Sequence, residues 1–545
     1  YGLTTKRCLA TMIILLIWSA VLVAAIALYF RQSYSRFTKH GVKNLKPMPF
    51  FGNMTRLVFR QHNFGDDLDL IYNTFKGERF VGRYEFIKPM LVIRDIELVK
   101  KITIKDFEHF LDHRGFTDEK TEPLFARNLF SLKGQEWKDM RSTLSPAFTS
   151  SKIKLMVPFM EEVGEQMIRA LKKKIMESPT GSLDVDCKDL TTRYSNDVIA
   201  SCAFGLKVDS YAEEKNKFYE MGKTASTFKL RQMLLFFASS AFPAIAKRLK
   251  LTLFSNATKD FFMELVLSTM KDREARNIVR PDMIHLLMEA KKGKLVHDEK
   301  GGNENLQDTG FATVEESSVG KKNIDRVWSE MDLVAQAVLF FIAGFETIST
   351  AMSFGLHELA VHPEIQERLV KEIKENHAKN NGKLNFSSIQ SMTYLDMVTS
   401  ELLRLWPPGM ALDRMCVKDY NLGKPNDKAT QDYIIRKNEL ISIPVWCFHR
   451  DPEFFPDPLK FDPERFSDEN KHKINSTAYM PFGLGPRNCI GSRFALCELK
   501  TLLYQILLHI ELSPSKKTCL PAKLSTESFN PRIEGGHWLK FKIRN

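Results

Sequence analysis

Phe482-Gly483-Leu484-Gly485-Pro486-Arg487-Asn488-Cys489-Ile490-Gly491 is the stretch on which the reading of this chain turns. A thiolate that binds a metal needs hydrogen-bond donors near its sulfur and no bulky side chain in the way. Gly483, Gly485 and Gly491 let the backbone pass close to a flat ligand, so that several N–H groups can point at one sulfur. Phe482 can pack over that ligand, and Arg487 offers a fixed positive charge to an acidic group. Cys489 stands just before a helical segment, Arg493-Phe494-Ala495-Leu496, whose dipole favours the thiolate. The other cysteines (Cys8, Cys187, Cys202, Cys416, Cys447, Cys497 and Cys519) lack such surroundings, and none forms a C-x-x-C pair. That argues against a disulfide framework or a zinc knuckle and fits a reducing compartment.

Working outward, Met331 to Leu359 reads as a strongly apolar helix, too interrupted by Gly and Glu to cross a membrane. Leu339, Ala343 and Thr347 recur at i, i+4 and i+8 and share one face. A threonine in such a helix ordinarily bonds back to the carbonyl four residues earlier. Glu346 is a charge inside a hydrophobic run, an expensive arrangement without a purpose. Glu401 and Arg404 lie one helical turn apart in an apolar setting that ends at Trp406-Pro407-Pro408. Trp137 and Arg141 are spaced i, i+4 after Lys133-Gly134; alone, that pair reads as a packed Trp beside a solvated Arg. Arg79 to Tyr84 and Met90 to Ile93 read as strands, and residues 293–323 as a polar, mobile surface loop.

At 545 residues, 43% hydrophobic and 27% charged, the chain is globular with ample material for a core. The net charge of +13 has no nucleic-acid motif beside it and its basic residues are dispersed, so a membrane and a partner protein are preferred to nucleic acid. Cys8 to Phe30, CLATMIILLIWSAVLVAAIALYF, carries no charge and as a helix would span roughly 34 Å, enough to cross a bilayer. It is too long for a signal-peptide core and lacks a clear cleavage site, so a retained anchor is expected. Lys and Arg residues after it place the bulk of the protein in the cytoplasm. The expected organisation is a luminal N-terminus at 1–7, an anchor at 8–30, a basic, proline-rich linker at 31–52 and one catalytic domain at 53–545. The opening Tyr1 in place of Met is read as the loss of a few preceding residues.

F-x-x-G-x-R-x-C-x-G resembles the haem-ligand signature of cytochromes P450, and the other motifs follow in that family's order. The likeness to insect microsomal, xenobiotic-metabolising forms, particularly family nine, extends to Asp282 through Lys291 and Phe340 through Met352. The resemblance implies a mainly α fold: one large helical domain with a smaller β-rich subdomain, plus the N-terminal transmembrane helix. It implies haem b (iron protoporphyrin IX) with Cys489 as ligand to the iron, and Phe482, Ala343, Gly344 and Gly491 against the haem. Arg487, Trp137, Arg141 and Arg414 fall at propionate-binding positions. Glu401 would lie buried between Arg404 and the Arg465 of Pro463-Glu464-Arg465-Phe466, locking the region behind the haem. Thr347 would hold oxygen and its water, with Glu346 helping protons arrive. Phe116, Leu124, Phe125, Leu339, Met410 and Leu412 are expected in an apolar pocket.

The implied reaction inserts one oxygen atom from O2 into a lipophilic substrate, a xenobiotic or an endogenous lipid, at the endoplasmic reticulum membrane. Electrons would come from NADPH through NADPH-cytochrome P450 reductase, with cytochrome b5 as an optional second donor. No G-x-G-x-x-G fingerprint is present to bind NADPH directly. An isomerase or dehydratase on the same scaffold is one alternative, but such enzymes can dispense with an acid–alcohol pair like Glu346-Thr347. A non-catalytic haem-binding protein is the other, and NADPH-dependent loss of substrate separates it from an enzyme.

Overall fold

Two long apolar helices with opposite environments organise the chain. The computed structural model describes residues 2–115, 119–120, 122–213, 215–226, 230–252, 254–292, 310–314, 319 and 326–544. The first helix, α1 (Gly2–Ser33), leaves its leucines, isoleucines and valines from Leu9 to Leu28 exposed. It is long and apolar enough to cross a membrane. The chain then enters a four-stranded sheet. Strand β1 (Phe80–Glu85) pairs antiparallel with β2 (Lys88–Ile93), with Phe80 opposite Ile93.

Helices α2 (Gly134–Leu144) and α3 (Val157–Glu177) follow, then strand β3 (Ser182–Asp186) and α4 (Cys187–Cys202). The second apolar helix, α5 (Glu330–Val361), starts at a capping box formed by Ser329 and Asp332. Its apolar residues, among them Leu333, Val334, Phe341, Phe345 and Met352, are buried against α4 and the C-terminal helix, so it is the spine of the core. Helix α6 (Thr393–Leu405) carries the Glu401–Arg404 pair. Strand β4 (Leu412–Met415) pairs antiparallel with β5 (Leu440–Ile443), which runs parallel to β2 and completes the sheet. Helix α7 (Ser492–His509) follows the cysteine loop. Strand β3 pairs with β7 (Trp538–Ile543), which also pairs with β6 (Ile510–Pro514).

The loop reading of 293–323 needs correction where it is described; 293–309, 315–318 and 320–323 lie outside the described residues. Around Gly310–Val314 the chain is docked, not free. Phe311 stacks edge-on against Phe466 at 5.1 Å, and its N–H donates to Asp396 Oδ2 at 2.9 Å. The apolar ring in a polar run overrides the local composition.

Candidate active site

The cysteine loop is held by its glycines and by a relay from α6. Gly483 and Gly485 have φ of 78° and 69°, a conformation that disfavours any side chain. At Gly485 an added Cβ would also fall 1.8 Å from the Thr103 carbonyl oxygen, so only glycine fits. The Cys489 N–H donates to Phe482 O at 2.8 Å, closing the loop. Behind it, His449 Nδ1–H donates to Arg404 O at 3.0 Å, while His449 Nε2 accepts from Met480 N–H at 3.0 Å. That bonding requires a neutral ring. Burial, helped by Arg404, pulls the His449 pKa down to about 3.

Glu401 and Arg404 are fully buried and joined by two bonds, Nε–Oε2 at 2.6 Å and Nη2–Oε1 at 2.8 Å. Arg404 also donates to the carbonyls of His449, Pro458 and Lys460. Arg465 approaches Glu401 Oε1 only to 3.5 Å, and the Asp462 N–H supplies a closer donor at 2.8 Å. The carboxylate therefore has one strong partner and one loose one.

Cys489 opens into a cavity of about 460 Å³ and, among the described residues, is the only exposed cysteine. Phe482, Gly491, Leu339, Ala343, Gly344 and Thr347 line the same space. Trp137, Arg141, Arg414, Arg487 and Leu412 do so as well. Trp137 and Arg141 are both buried on α2, so this arginine is not the solvated one expected of an isolated pair. Arg141 donates to the Asn488 carbonyl at 2.7 Å and to its Oδ1 at 2.8 Å. Arg487 lies over the Trp137 ring at 4.0 Å and donates to the carbonyls of Leu111, Leu129 and Leu132. Arg414 donates to Asp413 O.

Burial pulls the Arg414 pKa down to about 10, and burial with Arg414 beside it drives Arg487 well below the ordinary arginine value. These guanidiniums crowd one wall at an electrostatic disadvantage. A flat ligand carrying two carboxylates would relieve it while meeting the thiol of Cys489. The residues present thus fit a haem.

Other expected residues are placed elsewhere. Leu124 and Phe125 are buried outside the cavity wall, with Phe125 near Phe254 at 6.0 Å. Met410 packs beside Gly65. Phe116 lies outside the described residues. Thr347 lines the cavity, but its hydroxyl donates to Ala343 O at 2.5 Å, the ordinary bond of a helical threonine.

Glu346 is not in the wall at all. Its carboxylate is turned to the far side of α5, between Lys188 Nζ at 3.4 Å and Arg532 Nη2 at 3.2 Å. Two cations, distant in sequence, are what make that buried charge tolerable. The sequence reading also missed His113, which lines the cavity, stacks on Phe130 at 4.4 Å and bonds Asp413 Oδ1 through Nδ1 at 3.0 Å. Burial lowers its pKa, with Asp413 opposing. A histidine beside an aspartate carried no motif that could have marked it.

The sequence model described as Cytochrome P450 matches residues 42–537, and with this cavity and its cysteine the chain belongs to the cytochrome P450 family. It is 45% identical to cytochrome P450 9e2 of Blattella germanica, over 93% of this chain and 94% of the relative. It is 41% identical to the probable cytochrome P450 9f2 of Drosophila melanogaster, over 96% of this chain and 99% of the relative. Cytochrome P450 9b2 of Drosophila melanogaster is 38% identical, over 91% and 92%. Family membership makes the chain a monooxygenase of the haem-thiolate kind, and these relatives carry the numbers of insect family nine.

Proposed function

We propose that Cys489 is the thiolate ligand of a haem b seated in the 460 Å³ cavity, and that the enzyme uses it to oxygenate a lipophilic molecule. The observation that carries this reading is the meeting, in one wall, of the accessible thiol with the buried Arg141 and Arg414 and the largely covered side chain of Arg487. Bound there, the haem supplies reductive activation of O2, favoured by thiolate electron donation.

The chain's own residues divide the remaining work. Arg141, Arg414 and Arg487 neutralise carboxylates. Leu339, Leu412, Phe130, Phe148 and Phe340 make the wall apolar, which favours a lipophilic substrate and excludes water. Thr347 Oγ1 sits in that wall and can pass a proton into the cavity once it leaves the Ala343 carbonyl. Glu346, its neighbour in sequence, would resupply it after leaving Lys188 and Arg532 and taking up a proton from water.

Electrons are proposed to come from NADPH through NADPH-cytochrome P450 reductase, with cytochrome b5 as a further donor. Helix α1 is the anchor in the endoplasmic reticulum membrane, with the domain at 53–545 on the cytoplasmic side. Replacing Cys489→Ser tests the assignment: the red-shifted carbon-monoxide complex of a reduced haem thiolate should vanish. Its survival would refute the ligand.

A further inference from the structure

Gly310 to Val314 belongs to the polar run that precedes α5 in sequence, yet it docks on two helices that come after α5. Its seat is the Asp396 carboxylate of α6. Asp396 Oδ2 accepts the Phe311 N–H at 2.9 Å, while Asp396 Oδ1 pairs at 2.8 Å with Lys500 Nζ of α7, a lysine whose side chain is wholly buried. At Gly310, where φ is 98°, an added Cβ would fall 2.3 Å from Asp396 Oδ1 and 3.0 Å from Lys500 Nζ. Glycine alone allows the backbone to approach that closely. The Thr313 N–H donates to Gly310 O at 3.1 Å and closes the turn.

From this seat the Phe311 ring enters an aromatic cluster. It lies 5.1 Å from the Phe466 ring and 5.4 Å from that of Tyr479, and those two are 5.1 Å from each other. Tyr479 is buried, and its hydroxyl donates to Ser400 O on α6 at 2.9 Å. Its ring stacks on His449 with centroids 5.6 Å apart and planes 18° apart. His449 accepts the Met480 N–H at 3.0 Å, and the Met480 carbonyl accepts the Gly483 N–H of the cysteine loop, also at 3.0 Å. Arg404 therefore holds the edge of this imidazole, and Tyr479 holds its face.

Taking Cys489 as the thiolate ligand proposed above, we infer that Phe311 is a positioning residue for that ligand. Its ring presses Tyr479 onto His449, His449 fixes Met480, and Met480 begins the loop that presents the sulfur. Without the ring, Tyr479 keeps its bond to Ser400 but has room to turn, and the imidazole loses the flat partner that keeps it in line with the Met480 N–H. The loop then loosens while the core stands, because α5, α6 and α7 pack directly on one another and not through Phe311.

The test follows the red-shifted carbon-monoxide complex of the reduced, full-length holoenzyme in mild urea, beside the far-ultraviolet signal of its helices. Phe311→Ala should start with a normal complex and lose it roughly fivefold faster than wild type, about what one aromatic pair is worth. That loss should come before any loss of helix. Phe311→Tyr keeps the ring and should restore the wild-type rate. Gly310→Ala pushes the segment off Asp396 and should match Phe311→Ala, and the two substitutions together should do no more than either alone.

Loss of the complex at the wild-type rate in Phe311→Ala would overturn the inference. Loss of helix in step with the complex would overturn it as well, by making Phe311 an ordinary part of the packed core. Failure of Phe311→Tyr to rescue, or additive effects of the two substitutions, would do the same. A wild-type protein that lacks the red-shifted complex from the outset would instead overturn Cys489 as the ligand, and the inference with it.

Discussion

Two buried carboxylates, each set between two cations, do different jobs in this molecule. Glu401 meets Arg404 through two short bonds, both side chains sealed from solvent, and also takes a backbone N–H from Asp462. Glu346 meets Lys188 and Arg532 through single contacts at 3.4 and 3.2 Å, and Arg532 is part exposed. A bidentate arginine fixes direction as well as distance, whereas a lysine is a point charge on a flexible stem. The first arrangement resists rearrangement, and the relay from Arg404 through His449 to Met480 makes that rigidity useful to the cysteine loop. The second fixes its carboxylate less firmly.

The largest expected consequence falls on the rigid pair. Arg404→Ala leaves Glu401 with its loose partner and frees three backbone carbonyls, a loss of about 3–5 kcal/mol. Such protein should fail to retain haem. A soluble, haem-loaded variant of normal stability would show that the pair is not holding the loop.

Arg465→Ala should be milder, about 1 kcal/mol, because its contact with Glu401 is 3.5 Å long. Equal losses at Arg404 and Arg465, measured by chemical unfolding of the holoenzyme, would erase the ranking drawn from the distances.

The smallest stability effect belongs to Arg532→Ala. A pair with one partner a third exposed is screened by water and contributes at most about 1 kcal/mol. Its melting temperature should stay near wild type. A fall comparable to that of Arg404→Ala would mean that the Glu346 cluster is a structural clamp after all.

What the sequence made legible and what it hid follows from the range of the interactions. The cysteine loop and the spine helix were readable because glycine and periodicity act over a few residues. Residues Met331 to Leu359 were read as helix and Glu330–Val361 was found. The partners of Glu346 were hidden because they come from positions 188 and 532, joined to it by packing of α4 and the C-terminal segment. His449 and Asn488 were hidden for the same reason. Leu124, Phe125 and Met410, expected in the pocket, do not line the 460 Å³ cavity, because an apolar side chain looks alike in a cavity wall and in the core. Phe311 reversed the error, an apolar anchor concealed in a polar run.

Thr347 serves two ends at once, since its hydroxyl makes an ordinary helix bond to Ala343 and its side chain also lines the cavity. The decisive measurement is product formed per NADPH consumed by wild type and Thr347→Ala, each with reductase and equal haem content. Thr347→Ala should show an intact carbon-monoxide spectrum, continuing NADPH oxidation and a severalfold drop in product, with the difference recovered as hydrogen peroxide or excess water. Unchanged coupling in the variant would contradict it and leave Thr347 a purely structural residue.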